Sequence, residues 1–264
     1  MTSVRVFESP NPIGEYLAGK LLARIAVARQ SGQRFLLGCP TGRTPRPIYK
    51  AIAHQLKEKA QDISHVILVM MDEYLVKGSS GFKFAPASAP WSCHHFVRRE
   101  IAEPWNATLE AGQRLKDESV WFPDPDNPVA YDEKIAVAGG IDFFILASGA
   151  SDGHVAFNPP GSERDSRTRI VELSETTRRD NLVTFPEFGR LESVPSHGIS
   201  VGIATITAAK EAAMVLTGEG KAQSYDRILQ SKTYNPDWPA TVIHACAVGE
   251  IVSDADAARH QAKP

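Results

Sequence analysis

Apolar positions recur along this chain in two alternating rhythms, and the alternation predicts the fold class. From Pro12 to Arg29, the residues Ile13, Leu17, Leu21, Leu22, Ile25 and Ala28 follow the three-and-four spacing of one helix face. Arg34 to Cys39 then reads as a strand, ending in a turn with Pro40 and Gly42, and a second helix is predicted from Pro47 to about Glu58. His65 to Met71 is an unbroken apolar run, the pattern of a strand buried on both faces of a parallel sheet. Further strands are predicted at Ile141 to Ala147, Ile199 to Ile203, Ala213 to Leu216 and Thr241 to Ala247. Helices are predicted at His94 to Glu100, Val129 to Val137, Ala208 to Glu211, Gly220 to Gln230 and Asp254 to His260. Strands separated by helices imply an α/β fold, a mostly parallel sheet with helices on both faces. No repeat, low-complexity tract or linker divides the chain, so residues 1–264 are read as a single domain. Residues 75 to 93, rich in Gly, Ser, Ala and Pro with three aromatics, are read as a long functional loop or lid.

The polar residues that interrupt this pattern concentrate where strands end, which is where open α/β folds place their ligands. After the run ending at Ala147 comes Ser148-Gly-Ala-Ser-Asp-Gly-His-Val-Ala-Phe-Asn158. Asp152, two residues from His154 on a turn, is able to hold the imidazole in one tautomer and leave the other nitrogen free for proton transfer. The competing reading is an Asp-Gly turn followed by an incidental histidine. Cys39-Pro-Thr-Gly-Arg-Thr-Pro45 joins a strand to a helix, and its backbone N–H groups with the hydroxyls of Thr41 and Thr44 suit a phosphate. It matches neither a Walker loop nor a dinucleotide fingerprint, and a plain turn with Thr44 as the helix cap is the alternative. Asp72, in Met71-Asp-Glu-Tyr74, leaves an apolar strand into a poorly solvated place, which raises a carboxyl pKa and suits a proton shuttle. Glu73, its neighbour on an extended segment, is expected to point outward. Arg178 and Lys221 are candidate cations for an anion, the lysine because a helix start is otherwise an unfavourable place for positive charge.

Composition narrows the partner. With 42% hydrophobic and 23% charged residues and a formal net charge of −2, the chain carries no broad basic surface for nucleic acid or for an anionic membrane, and no apolar run of membrane-spanning length. Cys39, Cys93 and Cys246 are too few and too scattered for a disulfide framework or a spaced metal cage, which points to a reducing, cytoplasmic setting. Cys93-His-His95 places three adjacent ligand types on one short segment and is read as a helix start with exposed imidazoles, so no metal is assigned. His244 and Cys246 are expected to face the core from the last strand. A phosphorylated metabolite is the expected partner. Oligomeric state is not encoded in any feature of the sequence, and a homo-oligomer stays open.

Four blocks in order resemble the glucosamine-6-phosphate deaminase (isomerase) family, related to the 6-phosphogluconolactonases: Leu37-Gly-Cys-Pro-Thr-Gly-Arg-Thr-Pro45, Met71-Asp-Glu-Tyr74, Asp152-Gly-His-Val-Ala-Phe-Asn158 with Ser166-Arg-Thr-Arg169, and Gly218-Glu-Gly-Lys-Ala222. The resemblance implies a modified Rossmann-like fold and an aldose-to-ketose isomerisation with loss of ammonia, without cofactor or metal. It implies that Asp72 moves a proton between C2 and C1 and that His154, oriented by Asp152, opens the sugar ring. Thr41, Gly42, Arg43, Thr44, Arg178 and Lys221 would then hold the substrate phosphate, and 75–93 would be the lid. Two positions depart from the family pattern. Pro159 stands where a second carboxylate for the histidine is usual, with Glu163 as a conceivable substitute, and Arg43 stands where a second glycine is usual. Val171 occupies the place of a basic residue used by allosterically activated members. Lactone hydrolysis, a non-deaminating isomerase and a catalytically weakened sugar-phosphate sensor are the alternative functions.

Overall fold

A computed structural model describes residues 2–79 and 81–259. The strands are β1 (Ser3–Phe7), β2 (Phe35–Cys39), β3 (Val66–Met70), β4 (Asp72–Gly78), β5 (Gly81–Phe84), β6 (Val120–Trp121), β7 (Phe143–Ala147), β8 (Arg169–Glu172), β9 (His197–Ser200), β10 (Ala212–Leu216) and β11 (Gly249–Asp254). The main helices are α1 (Pro10–Gln30), α2 (Arg46–Glu58), α3 (Cys93–Phe96) continuing through a π-helical stretch into α4 (Glu103–Asn106), α5 (Val129–Val137), α6 (Glu175–Thr184), α7 (Ile203–Thr207) and α8 (Ala222–Gln230).

Seven strands form a parallel sheet in the order β1-β11-β10-β7-β2-β3-β6. β2, β3 and β10 are buried at every position, as their unbroken apolar runs require. Two large apolar clusters cover the sheet's two faces. One contains Ile13, Leu17, Leu21 and Ile25 of α1 with Ile48 and Ile52 of α2, and the other contains Ile206, Tyr225 and Ile228. From β2 the chain proceeds outward to β3 and β6, and from β7 it proceeds the other way to β10 and β11. The sheet's switch point therefore lies between β2 and β7. Gly38 permits that pairing, because a Cβ there would come within 2.1 Å of the Phe144 ring.

A second, antiparallel sheet, β5-β4-β9-β8, stands beside the first and was not expected from the apolar pattern. The segment 75–93 is accordingly not a structureless loop: a hairpin of β4 and β5 fills its first part, and a loop leads from there to α3. The run at 199–203 is not a parallel strand either, since β9 pairs antiparallel with β4 and β8 and the chain then enters α7. No helix occupies 208–211; α7 ends at Thr207 and β10 begins at Ala212. Of the predicted strand Thr241–Ala247, residues 241–245 end a largely buried 3-10 helix, Pro239–Ala245, with 246–247 beyond it, and the last strand is β11. A short apolar run does not distinguish strand from buried helix, and here Pro239 at the start and the Thr241 hydroxyl bonded to the Trp238 carbonyl decide for the helix. His244 and Cys246 are half-buried, with His244 bonded to the Ile228 carbonyl. The predicted helix at 254–260 is a turn over 255–258, and His260 lies outside the described residues.

α1 is fastened to the sheet by buried charge. Lys20 bridges Glu211 at 2.6 Å and Glu250 at 2.9 Å, and Arg24 also pairs with Glu211. Burial works against the lysine's charge, but the two carboxylates outweigh it and hold its pKa above the usual value. Removing the cation leaves two carboxylates, 5% and 8% exposed, with weaker compensation. Lys20→Met is expected to cost about 2–3 kcal/mol in urea denaturation, below the full figure for a buried pair because Arg24 and Arg5 remain. A loss under about 0.5 kcal/mol would show that the cluster is not a fastening.

Candidate active site

A cavity of about 600 Å³ opens at the carboxyl ends of β2 and β7. Its wall includes Thr41, Gly42, Arg43 and Thr44 from the loop after β2, Asp72 from the start of β4, His154 from the loop after β7, and Lys221 before α8. α6 contributes Asp180, Asn181, Val183 and Thr184.

His154 is fixed from behind. Its Nδ1 lies 2.6 Å from Asp152 Oδ1, which also accepts the His154 backbone N–H at 3.1 Å. The other oxygen of Asp152 accepts from Thr177 Oγ1 at 3.0 Å and Ser174 Oγ at 3.4 Å. Burial would raise the Asp152 pKa, but the bonds from His154 and Thr177 overcome this and bring it down to about 2. A carboxylate that stays ionised and accepts from Nδ1 directs the imidazole's Nε2 toward the cavity as the exchanging nitrogen. The turn is tight enough to depend on its glycines. A Cβ on Gly149 would collide with the His154 ring, and Gly153, at φ +67°, lies against the Trp238 indole. Ala156, which lines the cavity, is also held in the left-handed region at φ 52°.

Asp72 is only 5% exposed. Burial pushes its carboxyl up to about 7, against the lowering effect of a bond from Cys93 Sγ at 3.4 Å and with the adjacent Glu73 charge adding to the rise. Such a group exchanges protons near neutrality. Glu73 does not point outward. It is fully buried and accepts from the backbone N–H groups of Tyr74, Cys93 and His94 and contacts His94 Nδ1 at 2.6 Å. β4 is thereby tied to the start of α3, and His94, stacked on Phe122 at 3.6 Å, is half-buried rather than exposed. The strand alternation failed here because Asp72 and Glu73 stand where the chain passes from one sheet to the other, and both faces are covered.

In the loop after β2, Gly42 has φ +93° and α2 begins after Pro45, with no side-chain cap from Thr44. Lys221 donates to the Ser148 carbonyl at 2.5 Å. Its pKa is lowered chiefly by burial and also by Arg43, while Asp180 and Asp152 act the other way. Arg43 and Lys221 thus share one neighbourhood. Arg178 is not brought to this wall. Its guanidinium donates to the Leu191 and Val194 carbonyls at 2.7 to 3.2 Å and fastens α6 to the following turn. Glu163 is exposed and does not line the cavity that His154 faces. Arg169 donates to Asn158 Oδ1 at 2.9 Å and so supports the end of the His154 turn.

Asp152, His154 and Asp180 each bring one ligand atom within 4.8 Å of the others, the spacing of a metal site. Both Asp152 oxygens already accept two hydrogen bonds each, which fills a carboxylate's acceptor sites and fits an orienting group better than a metal ligand. Ser174 and Thr177 were missed in the sequence, where the one available signal is the Ser-x-x-Thr spacing of a helix start; in the structure Ser174 Oγ accepts the Thr177 N–H. Cys93 drew notice only within Cys93-His-His95, and Asp180 and Asn181 carried no signal in the sequence.

Residues 8–252 match the family model for glucosamine-6-phosphate isomerases/6-phosphogluconolactonase. A glucosamine-6-phosphate deaminase of Streptomyces avermitilis is 39% identical over 216 residues, 78% of this chain and 74% of that one. A glucosamine-6-phosphate isomerase of Candida albicans is 33% identical over 261 residues, 98% of each chain. Among solved structures, a monomeric glucosamine-6-phosphate deaminase superposes with a TM-score of 0.81 over 98% of this chain and 99% of its own, at 24% identity. A 6-phosphogluconolactonase from Shewanella baltica gives 0.69 over 97% and 98%, at 17% identity. At these identities the structural likeness shows the fold.

The buried Asp72 makes stability depend on pH with a definite sign. The unfolded chain releases this proton above about 4, near the ordinary value of 3.8, whereas the folded protein keeps it to about 7. Between those values folding is progressively penalised, and above about 7 the penalty is constant. Asp72→Asn escapes it. The variant is expected to gain stability over wild type as pH rises from about 4 to about 7 and then hold level, with a ceiling of about 4 kcal/mol. Denaturation curves from pH 4 to 8 read this directly; a difference that does not change with pH would remove the buried-carboxyl assignment.

Proposed function

Because the chain belongs to the glucosamine-6-phosphate isomerase/6-phosphogluconolactonase family, we propose that it isomerises and deaminates an amino-sugar phosphate, converting glucosamine 6-phosphate and water to fructose 6-phosphate and ammonia. The observation that carries this reading is one cavity whose wall holds a carboxyl with a pKa of about 7, an imidazole backed by an ionised carboxylate, and an anion loop beside a lysine. The curated relatives bearing the deaminase or isomerase name span most of this chain.

In the proposed reaction the phosphate is held by Thr41, Gly42, Arg43, Thr44 and Lys221, and its binding energy positions the reacting carbons. Arg178 contributes by fixing α6, through the carbonyls it binds. His154, kept in one tautomer by Asp152, exchanges a proton with the ring oxygen and opens the sugar. Asp72 then takes the C2 proton and returns it to C1 through an enediol-type intermediate, after which water replaces the C2 nitrogen and ammonia leaves. Burial makes Asp72 a stronger base than an exposed aspartate while leaving a substantial ionised fraction at neutral pH. Pro159 supplies no second carboxylate for the histidine, and Ser174 and Thr177 instead hold Asp152, the carboxylate it has. The hairpin and loop at 75–93 are the proposed lid, and the whole chain is proposed to act as one domain. Described residues contain no helix long and apolar enough to cross a membrane, and all three cysteines are free thiols; a reducing cytoplasm is the proposed setting.

Purified protein given glucosamine 6-phosphate is expected to release ammonia and ketose in equal amounts, and Asp72→Asn is expected to lower that rate at least about a thousandfold. Acid formation from 6-phosphogluconolactone with no ammonia from the amino sugar would replace this reading with lactone hydrolysis. Arg43→Ala is expected to raise KM about tenfold with a smaller change in kcat, the signature of a phosphate contact. An unchanged KM would remove Arg43 from the cradle.

A further inference from the structure

α6 brings two polar side chains to the cavity wall that the mechanism above does not use. Asp180 and Asn181 are consecutive, and each carries one atom shielded from solvent without a hydrogen-bond partner in the protein: Oδ2 of Asp180 and Nδ2 of Asn181. Asp180 Oδ1 accepts from Ser151 Oγ at 3.0 Å, which steadies the carboxylate. A shielded acceptor and a shielded donor on one cavity wall are costly unless something supplies the complement. A hydroxyl does so in one group, donating to the carboxylate and accepting from the amide.

The position of Asp180 identifies which hydroxyl. One of its oxygens lies within 4.8 Å of a His154 ring nitrogen, and it is the foremost negative charge acting on Lys221. Asp180 therefore stands between the group that meets the ring oxygen and the group that meets the phosphate. In a hexose 6-phosphate, C5 carries both the ring oxygen and the phosphate arm, and the hydroxyl next to that carbon is on C4. Resting on the function proposed above, we propose that Asp180 and Asn181 are specificity-determining residues that read the C4 hydroxyl and so choose between substrates epimeric there. A site built to hydrogen-bond a hydroxyl rejects the molecule that misplaces it, because its own buried groups are then left unpaired.

The same carboxylate opposes a bare anion, since it competes with phosphate for Lys221. Isothermal titration with inorganic phosphate and with fructose 6-phosphate separates the two effects. Asp180→Asn is expected to bind inorganic phosphate a few times more tightly than wild type, and Asp180→Ala to bind fructose 6-phosphate at least about tenfold more weakly. Asn181→Ala is expected to weaken fructose 6-phosphate and leave inorganic phosphate unchanged. In turnover, wild type is expected to separate glucosamine 6-phosphate from galactosamine 6-phosphate by more than tenfold in kcat/KM, and Asp180→Ala to reduce that ratio toward one. Parallel weakening of both ligands would indicate damage to α6 and overturn the assignment, as would an unchanged epimer ratio in a variant that still turns over. A wild type that binds inorganic phosphate but neither hexosamine phosphate would overturn the proposed function itself, together with this reading of α6.

Discussion

The site depends on a steric concession between two neighbouring strands. β2 and β7 run parallel and touch where their chains depart in opposite directions, and Gly38 allows the Phe144 ring to occupy the space that any side chain would take. At such a point the loops leaving the two strands cannot cover one another, so a crevice remains at their carboxyl ends. The Thr41–Thr44 loop leaves from one strand and the Asp152–His154 turn from the other. Their approach is a consequence of strand order, and the residues have only to be of the right chemical type.

What the second sheet adds is burial. Asp72 is the residue at which the chain leaves the parallel sheet, and it pairs with Ser200 of β9. This encloses its carboxyl, and enclosure is the principal cause of its rise to about 7. Glu73 secures the arrangement, since four donors from β4 and the start of α3 converge on one fully buried carboxylate. The two acidic neighbours thus serve opposite purposes. Glu73 is saturated with donors and holds backbone in place, whereas Asp72 has a single weak thiol donor and remains free to exchange a proton.

The parallel core was legible from the sequence because unbroken apolar runs and helical spacing at 13, 17, 21 and 25 are direct records of burial. Strand-end chemistry was legible for the same reason: polar residues after an apolar run mark the edge of the core. The antiparallel sheet was hidden since β8 and β9 are four residues each, with partners far away in the chain. α6 was hidden because Thr177 is its only fully buried residue, so no apolar stripe announces it. Arg178 shows the limit of reading charge alone: an arginine near a site is as able to bind carbonyl oxygens as phosphate, and only the fold distinguishes the two uses.

These hidden elements explain how the cavity tolerates its unusual balance of charge. Arg43 stands in the Thr41–Thr44 loop on the cavity wall, Arg178 is bonded within the α6 turn, and Asp180 lines the same wall as Lys221 and acts on its charge. A cradle with the cations alone would bind any phosphate more strongly, free phosphate included. In the proposed reading, a carboxylate near the lysine reduces that general attraction, and a ligand recovers the difference by satisfying the shielded atoms on α6. Selectivity on that proposal comes from a penalty that most anions cannot offset, so discrimination needs no larger contact area.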